Sequence, residues 1–393
     1  MTGYAPSAKS RELLLGYRPP PGTVKAPSIL DAPGGLVRIL LAGGGSGGSA
    51  TPILAVASEL RARVPGVELL YVGTYGGPEG ELAAEEGIPY VGVATGKLRR
   101  YWDTQNLPDV GRVLRGFVES LGHVRRFRPD AACGAGGFAS VPPLAAAGSS
   151  RVPVLIHQQD VVPGLANRLL APIARRITVA LPETMRAFPS RRTVLRGNPV
   201  RRRVLEGNSA EGFRRLGLDP GVPLVLVTGG GTGALGLNTI VAAAAPLLIQ
   251  HGQVLHLTGR GRGVETADLG PRYLRRGFLV EEMPDVLAAA SVVVTRAGMG
   301  TLSELAALGK ATLIVPMPGS HQEANARAFS RGGGALVFDQ ADLSPELLAA
   351  QVRDLLADSV RRDALGAAMH RVMPVDAAAR IAEDILELVH RSK

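Results

Sequence analysis

Two glycine clusters, one in each half of the chain, constrain its fold more than any other feature. The first follows the apolar run 37–42 and comprises Gly43, Gly44, Gly45, Ser46, Gly47 and Gly48, ahead of the helix-like stretch 52–57. The second follows the apolar run 224–227 and comprises Gly229, Gly230, Gly231, Thr232 and Gly233, ahead of 238–241. Each reads as a buried strand, a tight turn and a helix start. That arrangement aims backbone N–H groups and the positive helix end at an anion. Two such units a domain length apart predict twin Rossmann-like α/β domains facing each other across a cleft.

The rest of the chain fits this expectation. At 393 residues it is long enough for two ordinary domains, and 46% hydrophobic with 20% charged residues is a globular balance. Strand-like runs at 68–72, 90–93, 130–133, 152–157 and 177–180 alternate with helical periodicities such as 108–127. The second half repeats the theme at 253–258, 277–280, 292–295, 311–315 and 335–338, which predicts two parallel sheets. The domain expectation is a poorly ordered, proline-rich extension over 1–36, a first domain over 37–200 and a linker over 201–221. A second domain covers 222–374, and a terminal helix within 375–393 docks back on the first domain.

Composition excludes several classes. The single cysteine, Cys133, rules out a disulfide framework and reads as a small core residue. No apolar run reaches the length of a membrane span, and 1–36 lacks the apolar core of a signal peptide. The formal charge of +10 suits anionic partners. Nucleic acid is disfavoured, because aromatics are only 4% and no reading motif appears. Between 97 and 128, eight basic residues against three acids interleave with Tyr101, Trp102, Leu107, Phe117 and Phe127, a pattern suited to an anionic lipid surface.

Gly43, Gly45 and Gly48 formally fit the dinucleotide fingerprint, but neither half places an acid at the end of the following strand. A nicotinamide or flavin role is therefore disfavoured. In the run 295–309 a strand ends in a glycine turn, so Glu304 falls in the first helical turns. That carboxylate either caps its helix or grips the two hydroxyls of a ribose. Gln322 and Asn325, three apart on one helix face, are suited to sugar hydroxyls. No His, Cys or acid cluster has metal-ligand spacing, so a phosphate leaving group would rely on backbone N–H groups, a helix dipole and arginine.

With these motifs in order, the chain from about 37 to 388 resembles the MurG family of N-acetylglucosaminyltransferases, which complete lipid II in peptidoglycan synthesis. The resemblance rests on the loop 44–52, Gly96-Lys97-Leu98-Arg99-Arg100-Tyr101, the run Gly136-Gly137-Phe138-Ala139-Ser140-Val141-Pro142, and His157 followed by Pro163-Gly164-Leu165-Ala166-Asn167. It continues through Gly197-Asn198-Pro199-Val200-Arg201, the loop 229–238, and the segments 296–304 and 321–325. It implies a GT-B fold, UDP-N-acetylglucosamine as donor, a polyprenyl diphosphate-linked acceptor and inverting transfer without metal or cofactor. It also implies a cytoplasmic protein peripheral on the inner face of the cell membrane.

By position, the resemblance gives Glu304 the ribose and Val280 the uracil. Gly230, Gly231, Thr232, Gly233, Ala234 and Thr301 surround the diphosphate, Gln322 and Asn325 the donor sugar, and Arg201 joins this set. The loop 47–52, Asn167 and the segment 97–102 meet the acceptor. Two positions depart from the family: Ser49 stands where it has histidine, a favoured candidate base, and Gln158 where it has glutamate. A serine hydroxyl is no base near pH 7 and an amide is none at all. The base role then passes to Asp160 or His157. The competing readings are the same fold with another glycolipid or natural-product acceptor, a catalytically silent UDP-sugar-binding protein, and a UDP-sugar epimerase.

Overall fold

The computed structural model describes residues 36–44, 47–96, 106–230, 234–259, 261–264 and 268–391. Within them are two parallel sheets. The first contains β1 (Arg38–Ala42), β2 (Glu68–Thr74), β3 (Tyr90–Val93), β4 (Ala131–Gly134), β5 (Val154–Gln158), β6 (Arg176–Val179) and β7 (Thr193–Leu195), in the order β3-β2-β1-β4-β5-β6-β7. The second contains β8 (Leu224–Thr228), β9 (Gln253–Leu257), β10 (Tyr273–Arg276), β11 (Ala290–Thr295), β12 (Thr312–Ile314) and β13 (Leu336–Val337), in the order β10-β9-β8-β11-β12-β13. The central strands are largely apolar because helices cover both faces; β4, β5, β8 and β9 are buried along their whole length.

This topology positions the site. Strand order reverses between β1 and β4 in one sheet and between β8 and β11 in the other. Loops leaving the strand ends there diverge and open a crevice. Both glycine clusters leave the sheets at these switch points. One leads into α1 (Gly47–Arg63), the other into the helix Leu235–Leu248. Further helices bearing on the site are α2 (Pro78–Glu85), α3 (Asn106–Phe127), α4 (Leu165–Leu170), α5 (Leu235–Leu248), α6 (Met299–Ala307), α7 (Gln322–Arg331) and α8 (Ala377–His390).

The terminal helix α8 completes the core of the first domain. Its Ile381, Ile385, Leu386 and Val389 share one buried cluster with Ile39, Leu41, Ile53, Leu54 and Tyr71. Each such side chain contributes roughly 1.5–3 kcal/mol by leaving water. A polar clamp fixes the helix: the Asp384 carboxylate is 1% exposed and receives Arg176 Nη1 at 2.6 Å and Arg196 Nε at 2.8 Å. The chain therefore crosses between domains twice, and the crossings touch. Gly197 has φ +84°, and a Cβ there would lie 2.0 Å from the Pro374 carbonyl oxygen, so only glycine fits.

Two expectations are corrected. The strand expected at 277–280 is instead β10, four residues earlier: Tyr273 and Leu274 are half-buried, while Phe278 and Val280 stay exposed in the following loop. The apolar run marked a surface loop, not a strand. The segment 201–221 is not a bare linker. It holds the helix Ser209–Leu216, capped by the Asn208 side chain, and Phe213 and Leu218 enter the same core cluster as Leu224 and Leu226. Its arginines obscured that amphipathic pattern, because they sit on the outer face paired with Glu211.

Removing the Asp384 carboxylate takes the paired acid from Arg196 and leaves Arg176 only Glu387, beside a buried surface. Breaking one partner of such a cluster typically costs about 3–5 kcal/mol. Asp384→Ala is expected to lower the unfolding free energy by that amount in urea titrations monitored by circular dichroism.

Candidate functional site

The first glycine loop is filled from inside. Glu79, at the start of α2, is fully buried, and its Oε1 accepts the Thr74 backbone N–H at 2.8 Å. Gly44 has φ +137°, and a Cβ there would stand 2.3 Å from that same oxygen. The described part of the loop thus wraps an internal carboxylate, which pushes the neighbouring Tyr71 and Tyr90 phenols upward together with burial. Nothing in the glycine spacing reveals this partner, thirty-five positions along the chain. Ser49 is buried at 7% exposure; its Oγ accepts Gly44 N–H at 3.1 Å and donates to the Gly44 carbonyl at 3.2 Å. Its hydroxyl closes the loop on itself.

The end of β5 brings four expected residues together. His157 is 1% exposed, with Nδ1 2.9 Å from Thr178 Oγ1 and Nε2 2.9 Å from Asn198 Oδ1. Burial pushes its pKa down to about 4. Both ring nitrogens are committed inside the protein, which corrects the expectation that His157 takes a proton from an acceptor. Gln158 Oε1 accepts Asn167 Nδ2 at 2.7 Å, and its Nε2 donates to the Asp160 carbonyl at 2.9 Å. An ionised glutamate, which only accepts, could not do both. Asn167 is 2% exposed and also donates to the His157 carbonyl, while its Oδ1 is buried with no partner among the described residues.

Asp160 reaches across to the second domain. Its Oδ1 accepts Asn325 Nδ2 at 2.8 Å and lies 4.0 Å from His321 Nε2, while Val161 N–H donates to Asn325 Oδ1 at 3.0 Å. Asn325 therefore meets the loop carrying Asp160. Gln322 Oε1, one turn away, accepts the backbone N–H groups of Ala297 at 3.2 Å and Met317 at 3.1 Å.

The remaining expected donor residues line the strand ends of the second sheet. Gly230 has φ +75° and no described residue within 4 Å of the place a Cβ would take, and Ala234 leads directly into α5. Gly231, Thr232 and Gly233 lie outside the described residues, as does the basic and aromatic segment 97–102. Among the described residues the N-terminus of α6 is uncovered: a Cβ on Gly298 or Gly300 would meet nothing of them within 4 Å, and Thr301 sits in this first turn. Partly buried Glu304 follows, its pKa raised to about 7 by burial and lowered somewhat by Arg203. No hydrogen bond from the described residues reaches its carboxylate. Val280 is 40% exposed, and Arg201 Nε is buried without a partner among the described residues.

Sequence reading missed Arg296. It is 5% exposed, and its Nη1 donates to the carbonyls of Val315 at 3.1 Å and Pro316 at 3.0 Å. Its Nη2 donates to Gln340 Oε1, whose amide packs against Gly236 in the first turn of α5. A buried arginine thereby ties the end of β12 to the helix that follows the second glycine loop. Its place right after a strand and before Ala297-Gly298 was the available signal.

Chemically, the second domain offers, among the described residues, an uncovered helix N-terminus, a carboxylate that receives no hydrogen bond and the Gln322 amide, groups suited to a nucleoside diphosphate sugar. Comparison with known proteins agrees with that reading. Residues 39–179 match the glycosyltransferase family 28 N-terminal domain and residues 224–383 its C-terminal domain. A protein of Lachnospira eligens, named UDP-N-acetylglucosamine--N-acetylmuramyl-(pentapeptide) pyrophosphoryl-undecaprenol N-acetylglucosamine transferase, is 38% identical over 325 residues, covering 82% of this chain and 91% of its own. A protein of the same name from Symbiobacterium thermophilum is 37% identical, covering 91% of this chain and 98% of its own. The crystal structure of MurG from Acinetobacter baumannii shares the two-domain GT-B fold, with a TM-score of 0.67 at 22% identity over 89% of this chain and 99% of that one. With both catalytic domains matched in order and relatives of this identity along most of its length, the chain belongs to glycosyltransferase family 28, among the MurG-type N-acetylglucosaminyltransferases.

Proposed function

We propose that this protein transfers N-acetylglucosamine from UDP-N-acetylglucosamine to lipid I, the polyprenyl diphosphate-linked acceptor, forming lipid II on the inner face of the cell membrane. The observation that carries the reading is the open α6 N-terminus with Glu304 behind it, in a chain of this family. Glu304 accepts the two ribose hydroxyls and the backbone at Val280 faces the uracil. The loop 230–234 and Thr301 receive the diphosphate, with Arg201 alongside, and Gln322 and Asn325 serve the sugar. The acceptor hydroxyl attacks the anomeric carbon, the bond to the UDP oxygen breaks with inversion, and UDP leaves with its charge on amides and the helix dipole. No metal is required in this account.

The acceptor proton goes to Asp160. Its Oδ1 is held by Asn325, while its Oδ2 accepts no hydrogen bond from the described residues. An apolar groove of about 220 Å³ beside the first loop, lined by Val113, Phe138, Val141, Leu165 and Leu169 among others, suits the lipid end of the acceptor. On α3, Val110, Leu114 and Val118 stand four apart and are 46%, 62% and 67% exposed, with Arg115, Arg125 and Arg126 on the same helix. That face supports docking on an anionic bilayer. Among the described residues no helix is long and apolar enough to cross one.

Three outcomes are expected. Purified protein releases UDP from UDP-N-acetylglucosamine only when lipid I is added, and Asp160→Asn lowers that turnover by about 10²–10⁴ with donor affinity unchanged. Release without acceptor, or an unaffected Asp160→Asn variant, contradicts the assignment. Because the Glu304 acid must ionise to accept both hydroxyls, donor affinity measured calorimetrically falls by up to about tenfold per pH unit below 7. Glu304→Gln abolishes this dependence, and EDTA leaves affinity unchanged. Finally, Leu114→Asp with Val118→Asp reduces sedimentation with anionic vesicles, in a salt-sensitive manner, without altering donor affinity.

A further inference from the structure

His157 and its neighbours form a hydrogen-bond chain whose direction is forced. It begins in the first sheet and ends in the helix carrying the donor carboxylate. Ser303 Oγ lies 2.6 Å from the Met299 carbonyl, which can only accept, so the one hydroxyl proton of Ser303 is spent there. The Asn198 atom 2.8 Å from Ser303 Oγ must then be the donor, Nδ2. That turns Asn198 Oδ1 toward His157 Nε2 at 2.9 Å, so Nε2 carries the imidazole proton. His157 Nδ1 is left to accept from Thr178 Oγ1 at 2.9 Å. The chain runs Thr178, His157, Asn198, Ser303, Met299, each member donating to the next.

All its side chains are sealed from water. Thr178 is 0%, His157 1%, Asn198 2% and Ser303 2% exposed, so no solvent can replace a lost partner. Burial keeps His157 neutral, with its pKa near 4, so the polarity does not reverse near pH 7. The chain also spans the right places. His157 is the last residue but one of β5, ahead of the loop carrying Asp160, and Asn198 follows the Gly197 crossing. Ser303 lies in α6 between Thr301 and Glu304.

We propose that His157, Asn198 and Ser303 are positioning residues that act as one unit, fixing the donor helix α6 against the acceptor-side loop of β5. The inference rests on the transferase reading for its kinetic arm only. Donor contacts all belong to the second domain, so a broken chain leaves donor affinity intact. It loosens the distance between anomeric carbon and acceptor hydroxyl, and a misplacement on the order of 1 Å costs about a hundredfold in rate.

The test compares Ser303→Ala, Asn198→Ala and His157→Asn with the double variant Ser303→Ala/His157→Asn in the full-length protein. Each single variant is expected to lower kcat about tenfold to a hundredfold, to keep the calorimetric Kd for UDP-N-acetylglucosamine within about twofold, and to retain the shape of the pH–rate profile. The double variant falls no lower than the worse single one, because a chain breaks only once. Additive losses, a raised donor Kd with unchanged kcat, or a lost pH limb in the His157 variant alone would overturn the proposal. A second arm needs no activity. Nitroxides on Arg115→Cys and Val360→Cys, both exposed and in different domains, report the interdomain distance while buried Cys133 stays unlabelled. Ser303→Ala broadens that distribution; an unchanged distribution refutes the positioning role even if the transferase reading itself fails.

Discussion

The structure depends on one buried carboxylate. Asp384, held by Arg176 and Arg196, commits the last helix to the first domain although the residues before it belong to the second. Apolar contacts supply most of the attraction, and they are tolerant of sliding. The two guanidinium groups are not, since each must meet its oxygen at a fixed place on the sheet edge. An ion cluster of this kind adds little net stability over an apolar substitute, but its loss is costly. Its contribution here is to set where α8 lies. That in turn sets where the chain crosses back at Pro374, against Gly197.

From that double crossing the rest of the site follows. Asn198, next to Gly197, receives the His157 imidazole from one domain and donates to Ser303 in the other. A few residues away Asp160 and Asn325 meet directly. Among the described residues these two polar contacts, one sealed and one at the cleft, help to register the two domains. The sealed one is inert to pH near neutrality because burial has removed the charge from His157. The other involves the groups proposed to touch the sugar and take the proton.

Much of this was legible in the sequence, and the limits have physical causes. Parallel strands buried on both faces are apolar runs, so β3 and β9 could be read almost to the residue, and β1 and β8 announced their glycine turns. β10 could not, because an edge strand needs no continuous apolar run; the exposed Phe278 and Val280 beyond it mimicked one. The helix within 201–221 was hidden by arginines on its outer face. Glu304, Gln322 and Asn325 could be singled out because motif order points to them, and their proposed contacts with the donor are a reading of that order. The role first given to His157 was wrong for a reason sequence cannot supply, since both its partners, Thr178 and Asn198, come from distant positions. Glu79 shows the same limit: a glycine loop signals that an anion can approach, not that the protein fills the place itself.

The two glycine loops, alike in sequence, thus differ in occupancy. The first wraps Glu79, whereas at Gly230 in the second a Cβ would meet nothing within 4 Å among the described residues. The central claim is that the donor is held by the second domain alone. Hydrogen exchange followed by mass spectrometry, with and without saturating UDP-N-acetylglucosamine, tests it most directly. The account predicts that protection appears at residues 229–237 and along the first turns of α6, while residues 43–50 exchange as before. Protection concentrated at 43–50, with none along α6, would contradict it.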